Sequence, residues 1–171
     1  MISLGIDLSL RETGCVKTDG EEIIDTQLIK SKPDGKLPIN ELSRICNIRD
    51  SIDTTEVGIA VIEGLAFMAR NSTALTQLSG LNYMCRELLM LSDIPFIIVA
   101  PTTLKKFITG KGNCGKDVMM LETYKRYGAT FDNNNLCDAF GLSIIGSVLS
   151  QKNPKLIKPQ QEVINLLKEQ L

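Results

Sequence analysis

The stretch "SLGIDLSLRETG" (residues 3–14) starts as an apolar run and changes character at Asp7, after which polar residues and a glycine follow. The apolar part predicts a buried strand over residues 2–8. A buried strand gains nothing from a charge, because burying an unpaired carboxylate is costly. We therefore expect Asp7 to lie at the edge of the strand and to hold a cation.

Outward from this strand, the sequence predicts two more strands at residues 13–18 and 21–29, because Asp-Gly between strand-like runs is a hairpin signal. The continuous apolar run at residues 57–62 fits a central strand that is covered on both faces, and it ends on Glu63. A fifth strand is predicted at residues 95–100. Helices are predicted at residues 39–53, 72–92, 116–127, 134–149 and 161–171, with a short helix that starts at Pro101.

Three strands joined by tight turns, followed by strands that alternate with helices, predict an α/β fold with a five-stranded mixed sheet flanked by helices. This architecture resembles the ribonuclease H-like fold. Residues 1–150 are interpreted as one ribonuclease H-like domain, and residues 151–171 as a linker with a C-terminal amphipathic helix. The length of 171 residues agrees with one such domain.

The composition narrows the kinds of protein that the chain can be. No apolar run reaches the roughly 18 residues of a membrane span, so we expect no membrane partner. The five cysteines are widely spaced, which favours reduced thiols in a cytoplasmic protein. The chain has no histidine, which removes the usual histidine bases and disfavours a zinc site. Catalysis would therefore rest on carboxylates, lysines, hydroxyls or another metal.

The charge is unevenly distributed along the chain. A net charge of −1 by itself argues against a nucleic-acid partner. Residues 101–126, however, carry six basic residues against two acidic ones. From charge alone, this segment is either a surface that binds phosphates or a solvated face whose lysines serve solubility. Its basic residues are Lys105, Lys106, Lys111, Lys116, Lys125 and Arg126.

Three acidic residues occur in apolar surroundings on two predicted strands and a predicted helix. Asp7 ends the first strand, Glu63 ends the fourth, and Asp138 lies one turn into the helix at residues 134–149. A twisted mixed sheet can bring them together, and carboxylates that meet repel one another unless a cation neutralises them. Magnesium takes a few carboxylate ligands and keeps waters. Each acid taken alone is equally compatible with a solvated or capping carboxylate.

Four motifs in this order resemble the RuvC family of Holliday-junction resolvases, over residues 2–150. "LGIDLSLRETG" resembles the first motif, although Leu8-Ser9 stands where the family commonly has Pro-Gly. "VIEGLAFMARN" resembles the second, a strand that ends in a catalytic glutamate. "APTTLKKFITGKGNCGK" resembles the third, and "LCDAFGLSI" resembles the last, in which an aspartate precedes small residues. Any one motif is a weak signal, whereas four at family-like spacing are specific.

The resemblance implies roles for individual residues. Asp7, Glu63 and Asp138 match the family's catalytic metal-binding acids, which use Mg²⁺, with Mn²⁺ as a substitute and two ions per site. Lys116 matches a catalytic lysine near the scissile phosphate. Phe67 falls where the family has an aromatic that stacks on an unpaired base, although a core aromatic is the alternative. The DNA-binding surface is expected to include Lys105, Lys106, Lys111 and Arg70.

One position departs from the family pattern. The family has two metal ligands three residues apart on the late helix, and the earlier position is Asn135 in this chain. An amide oxygen can bind Mg²⁺ without contributing charge. Asp132 either supplies the missing charge or caps the helix. We expect activity that needs more Mg²⁺ or favours Mn²⁺.

The resemblance implies an endonuclease that resolves four-way DNA junctions in recombination, repair or phage DNA processing, within a bacterial cell or a phage-infected host. It implies a homodimer that forms through the helix at residues 72–92, where Gly80 would let two helices approach, and no small-molecule cofactor. Two alternatives stay open. One is another ribonuclease H-like nuclease acting on flaps, branched DNA or RNA/DNA hybrids, and the other is a junction-binding protein without catalysis.

Overall fold

The computed structural model describes residues 1–65 and 73–171. Within these residues the strands form one five-stranded sheet in the order β3-β2-β1-β4-β5. The strands are β1 (Ile2–Asp7), β2 (Glu12–Asp19), β3 (Glu22–Lys30), β4 (Val57–Glu63) and β5 (Phe96–Val99). The helices are α1 (Pro38–Asp50), α2 (Thr73–Leu91), α3 (Pro101–Thr109), α4 (Lys116–Tyr127), α5 (Asn134–Leu149) and α6 (Lys158–Leu167), and a 3₁₀ turn follows at Lys168–Gln170.

The sheet is mixed, as predicted. The hairpins β1–β2 and β2–β3 are antiparallel, and the pairs β1–β4 and β4–β5 are parallel. Gly20 makes the predicted tight turn with a φ of 65°, a conformation that glycine adopts without strain. Because β1, β4 and β5 run parallel to one another, their carboxyl ends lie at one edge of the sheet.

Side chains alternate across the sheet and thereby build two cores. On β1, Leu4 and Ile6 belong to the core that the sheet forms with α1 and α2. The opposite face packs against α5, with α3, α4 and α6 around it. Residues of a strand that are two apart share a face. Asp7 therefore points to the same side as Gly5, toward α5.

Helix α5 lies unusually close to the sheet because glycines face it. A Cβ atom on Gly5 would stand 1.9 Å from the carbonyl oxygen of Ala139, and a Cβ atom on Gly14 would stand 2.4 Å from that of Asn135. Real Cβ atoms do not approach backbone so closely. Both glycines belong to the stretch at residues 3–14. This segment therefore forms the first strand and also determines how closely α5 approaches the sheet.

The C-terminal helix packs on the chain itself. Val163, Ile164 and Leu167 of α6 are buried in the same core as α3 and α5. The side-chain amide of Gln170 donates to the carbonyl of Ile98 and accepts from its N–H, both at 3.0 Å, so it covers part of the open edge of β5. The predicted helix at residues 161–171 is thus displaced to Lys158–Leu167. No helix in the described parts of the chain is long and apolar enough to cross a membrane.

Candidate active site

Asp7 and Glu63 lie side by side at the ends of β1 and β4. The parallel register pairs Ile6 with Ile62, which sets the next residue of each strand beside the other. Asp7 is only 7% exposed. Burial, followed by the negative charge of Glu63 and a hydrogen bond to it, raises the pKa of Asp7 to about 9. Asp7 thus keeps its proton at neutral pH and donates it to Glu63, whose own pKa is raised, mainly by burial.

Asp138 completes the acidic group from α5. Its charge contributes to the raised pKa values of Asp7 and Glu63, and its own pKa is raised by burial. The positive charges of Lys105 and Lys116 oppose that rise. One buried carboxyl, two half-buried carboxyls and two lysines therefore share one electrostatic environment.

A cavity of about 130 Å³ opens at this place. Its walls come from the end of β4 and from the first turns of α3, α4 and α5. The described residues that line it are Glu63, Pro101, Lys105, Lys116, Met119, Met120, Asn134, Cys137 and Asp138. A larger cavity of about 480 Å³ lies near the other end of α5 and contains none of the predicted site residues. We place the chemistry in the smaller one because Glu63 and Asp138, two carboxyls with raised pKa values, line it, and Asp7 is hydrogen-bonded to Glu63.

The donor chemistry of the site fits a hard divalent cation. Carboxylate oxygens are the ligands that Mg²⁺ prefers, and the mutual repulsion of these acids is relieved by a positive ion. Within residues 1–65 and 73–171, no three acidic, cysteine or histidine side chains are arranged as a ready set of metal ligands. Asp7 and Glu63 share a hydrogen bond, whereas Asp138 acts on them through its charge alone.

Asn135 does not belong to the described lining of the cavity. Its side-chain nitrogen donates a hydrogen bond to the main-chain carbonyl of Glu12 on β2. Asp132 is exposed. The capping role that was one prediction for it is taken by the next residue, Asn133. The side chain of Asn133, which has extended backbone geometry, accepts from the N–H groups of Asn135 and Leu136. A ligand role for Asn135 stays a prediction.

The residues predicted to bind DNA have different surroundings. Lys105 lines the cavity together with Lys116. Lys106 is in an ion pair with Glu162 of α6, with 2.7 Å between the Nζ and Oε2 atoms. Lys111 is exposed in the loop after α3. Phe67 and Arg70 lie outside the described residues.

Sequence reasoning missed Asn134 and Asn82. Asn134 lines the cavity four residues before Asp138, a spacing that places both on one face of α5. That spacing was the available signal. Asn82 of α2 is fully buried, and its amide nitrogen lies 3.5 Å from the main-chain carbonyl of Glu63. An asparagine inside an apolar helix face gave no indication of which strand it would contact.

The fold is similar to that of two solved structures of RuvC from Thermus thermophilus. The first, of RuvC, has a TM-score of 0.67 at 15% identity and covers 84% of this chain and 92% of that one. The second, of RuvC in complex with a Holliday junction substrate, has a TM-score of 0.68 at 14% identity and covers 86% and 97%. The chain has the ribonuclease H-like fold of RuvC. No protein-family model and no curated protein matches the sequence.

Proposed function

We propose that this chain is a Mg²⁺-dependent endonuclease that resolves Holliday junctions. The observation that carries the proposal is the meeting of Asp7, Glu63 and Asp138, from β1, β4 and α5, beside a cavity that two lysines line. The fold supports the same conclusion, because the similar RuvC was solved with a Holliday junction substrate. Each of the four sequence motifs contributes a described residue to this group, namely Asp7, Glu63, Lys116 and Asp138.

The carboxyls would hold the metal, and the lysines would bind the substrate. Bound Mg²⁺ would activate a water molecule and stabilise the leaving oxygen of the phosphodiester. Asp7 would release the proton that it shares with Glu63, so that both offer anionic oxygens. Lys116 starts α4 at the wall of the cavity, where its charge and the helix N-terminus both favour a phosphate. Lys105 faces the same cavity and would steady a neighbouring phosphate.

The DNA-binding surface would extend from this cavity along the basic segment. Lys111 is exposed and available for a phosphate contact, and Arg70 and Phe67 remain predicted members of the surface. Lys106 would contribute less, because its charge is already paired with Glu162. Binding through phosphates falls steeply with salt. We therefore expect recognition of junction shape with strong salt dependence.

We propose that the chain acts as a homodimer through α2. An isologous dimer would present two equivalent sites to the two symmetric strands of a junction. Tyr83, Met90 and Leu91 are large side chains that α2 leaves exposed. Among the described residues outside the backbone of α2 itself, a Cβ atom on Gly80 would have only the Cδ1 atom of Ile45 within 4 Å, at 3.8 Å, so Gly80→Ala fits the monomer. Weaker self-association of this variant in sedimentation would indicate that two helices cross at Gly80, and unchanged association would exclude that crossing.

The experiment that tests the proposed function compares substrates. The purified chain is incubated with Mg²⁺ and either a mobile four-way junction, a linear duplex, a flap or an RNA/DNA hybrid. Paired symmetric nicks on the junction alone are expected. Cleavage of the hybrid or flap instead would indicate another ribonuclease H-like nuclease, and tight junction binding without cleavage would indicate a binding protein.

A further inference from the structure

We infer that Asn135 is a positioning residue, which fixes α5 on the sheet so that Asp138 reaches the other acids, and that it is not a metal ligand. This inference rests on the proposed function and assigns a role within the same site. It concerns three residues that fasten the first turn of α5 to β2, namely Glu12, Asn133 and Asn135, which we call the α5 clasp.

The clasp consists of two amide donors on α5 and two acceptors on one residue of β2. The Nδ2 atom of Asn135 donates to the main-chain carbonyl of Glu12. The Nδ2 atom of Asn133 donates to the Oε2 atom of Glu12 at 2.9 Å. The Oδ1 atom of Asn133 also accepts from the N–H of Asn135 at 2.8 Å, so the cap of the helix and the clasp are one network.

The clasp lies next to the acids along the sheet. Gly14, two residues after Glu12, pairs with Asp7 in the antiparallel register of β1 and β2. The backbone of Asn135 rests against Gly14, where a Cβ atom would come within 2.4 Å of its carbonyl oxygen. Asp138 follows less than one helical turn later. The clasp therefore sets where Asp138 stands relative to Asp7.

The chemistry of the contact requires a donor at position 135. A carbonyl oxygen accepts hydrogen bonds only, so the amide group must present its nitrogen to Glu12. A carboxylate at this position would place two acceptors against each other and repel the strand. The substitution Asn135→Asp would then act against the placement of α5, whereas a metal-ligand role would make the same change beneficial.

Four variants separate the two roles. If Asn135 positions α5, junction cleavage should decrease in the order wild type, Asn135→Ser, Asn135→Ala, Asn135→Asp. Serine comes before alanine because its hydroxyl can still donate a hydrogen bond to the carbonyl of Glu12. We expect Asn135→Ser to retain kcat within about 3-fold and Asn135→Asp to lose at least about 10-fold, since small displacements at a catalytic centre are costly. More Mg²⁺ should not restore Asn135→Asp, and the junction Kd should stay unchanged. Asn47→Asp, on the exposed face of α1, is the matched control.

A second pair of variants tests the clasp without touching position 135. Asn133→Asp keeps a capping oxygen but turns its contact with Glu12 into a repulsion between two carboxylates. Adding Glu12→Gln supplies a donor for the new carboxylate. The double variant should therefore recover most of the cleavage rate and the thermal stability that Asn133→Asp loses, and absence of any recovery would overturn the clasp.

Metal binding is measured separately, as the rise in melting temperature that Mg²⁺ causes without DNA. Asn135→Asp should show no larger rise than the wild type. A larger rise, with half-maximal cleavage at lower Mg²⁺, would overturn the inference and make position 135 a ligand. If the wild type cuts no junction, the proposed function fails. The order of melting temperatures and the Mg²⁺-dependent rise still decide the role of Asn135 in that case.

Discussion

At the scale of single residues, the site contains carboxyl groups whose ionisation is unfavourable. Asp7 is nine-tenths buried beside Glu63, and the protein gains nothing in stability from ionising it. Such a raised pKa is typical of a group that serves function at the expense of stability. The pKa of Asp53, in contrast, is lowered by hydrogen bonds from Lys17 and Thr55, so this acid does stabilise the fold.

Replacement of Asp7 should therefore stabilise the metal-free protein. The folded-state pKa of about 9 lies above the ordinary aspartate value of 3.8, so between these values the folded chain binds more protons than the unfolded chain. Stability must fall as pH rises through this window. Asp7→Asn removes this loss of stability, because an amide does not ionise. It should raise the free energy of unfolding by about 1–3 kcal/mol at pH 7.5 in EDTA. Denaturant unfolding should show that this gain shrinks toward pH 4. A gain that is independent of pH would show that the raised pKa of Asp7 is not its cause.

Asp53 should behave in the opposite way. Lys17 has a side chain that is 8% exposed, and its Nζ atom lies 2.5 Å from Asp53. Because the folded pKa of Asp53 is depressed, its contribution is present above pH 3.8 and is lost as pH falls. Asp53→Asn should cost about 1–2 kcal/mol at pH 7, a modest figure because Asp53 is half exposed.

The control for Asp53 is Asp50→Asn, which removes a partner of Arg49 at the surface. We expect it to change the free energy of unfolding by less than about 0.5 kcal/mol. Equal effects of the two variants in denaturant unfolding at pH 7 would show that the burial of Lys17 does not matter.

At the scale of elements, α5 decides whether the site assembles. It carries Asp138, and its depth is set by strand glycines that let its backbone approach. The sequence predicted α5 and all five strands, because their apolar runs and turn residues are local signals. It did not predict that Asn133 caps α5, nor that Asn135 contacts Glu12. The cap is a local contact, whereas the contacts of Asn133 and Asn135 with Glu12 join residues more than 120 positions apart, which no local pattern encodes.

Gly14→Ala should disrupt the packing of α5. The added Cβ atom would overlap the backbone of Asn135, so the helix must move, at a cost of about 1–3 kcal/mol. At a protein concentration where the chain is monomeric, Gly80→Ala is the matched control, since a Cβ atom has space there within the monomer and alanine favours a helix by about 0.5–1 kcal/mol. Urea unfolding should thus show changes of opposite sign. A neutral Gly14→Ala would mean that α5 does not depend on this close approach.

At the scale of the whole molecule, the sheet separates two cores, and the site opens at the edge where three parallel strands end. Asp7 and Glu63 could be singled out because each ends an apolar run, and Asp138 because it lies one turn into an apolar helix. Of their surroundings, Lys105 and Lys116 were expected from the resemblance, whereas Asn134 was not, because it joins them only when α3, α4 and α5 converge. The predicted boundary at residue 150 stays a prediction, although α6 shares the core of α3 and α5.

Removal of residues 158–171 should destabilise the whole chain. Val163, Ile164 and Leu167 are each at most 2% exposed, and full burial of such a side chain contributes about 1.5–3 kcal/mol. Their joint loss is comparable with the stability of a typical domain, about 5–15 kcal/mol. A chain that ends at residue 157 should melt at least about 10 °C lower, as followed by circular dichroism. An unchanged melting temperature would show that α6 is an appendage.

The central claim is that Asp7, Glu63 and Asp138 form one metal-dependent cutting site. Its most direct test is the cleavage rate of a four-way junction in Mg²⁺, measured for Asp7→Asn, Glu63→Gln and Asp138→Asn beside the wild type, with junction binding measured in parallel. We expect each variant to bind the junction and to lose at least about 100-fold in cleavage rate. Cleavage at the wild-type rate by any one of the three variants would contradict a site formed by all three acids.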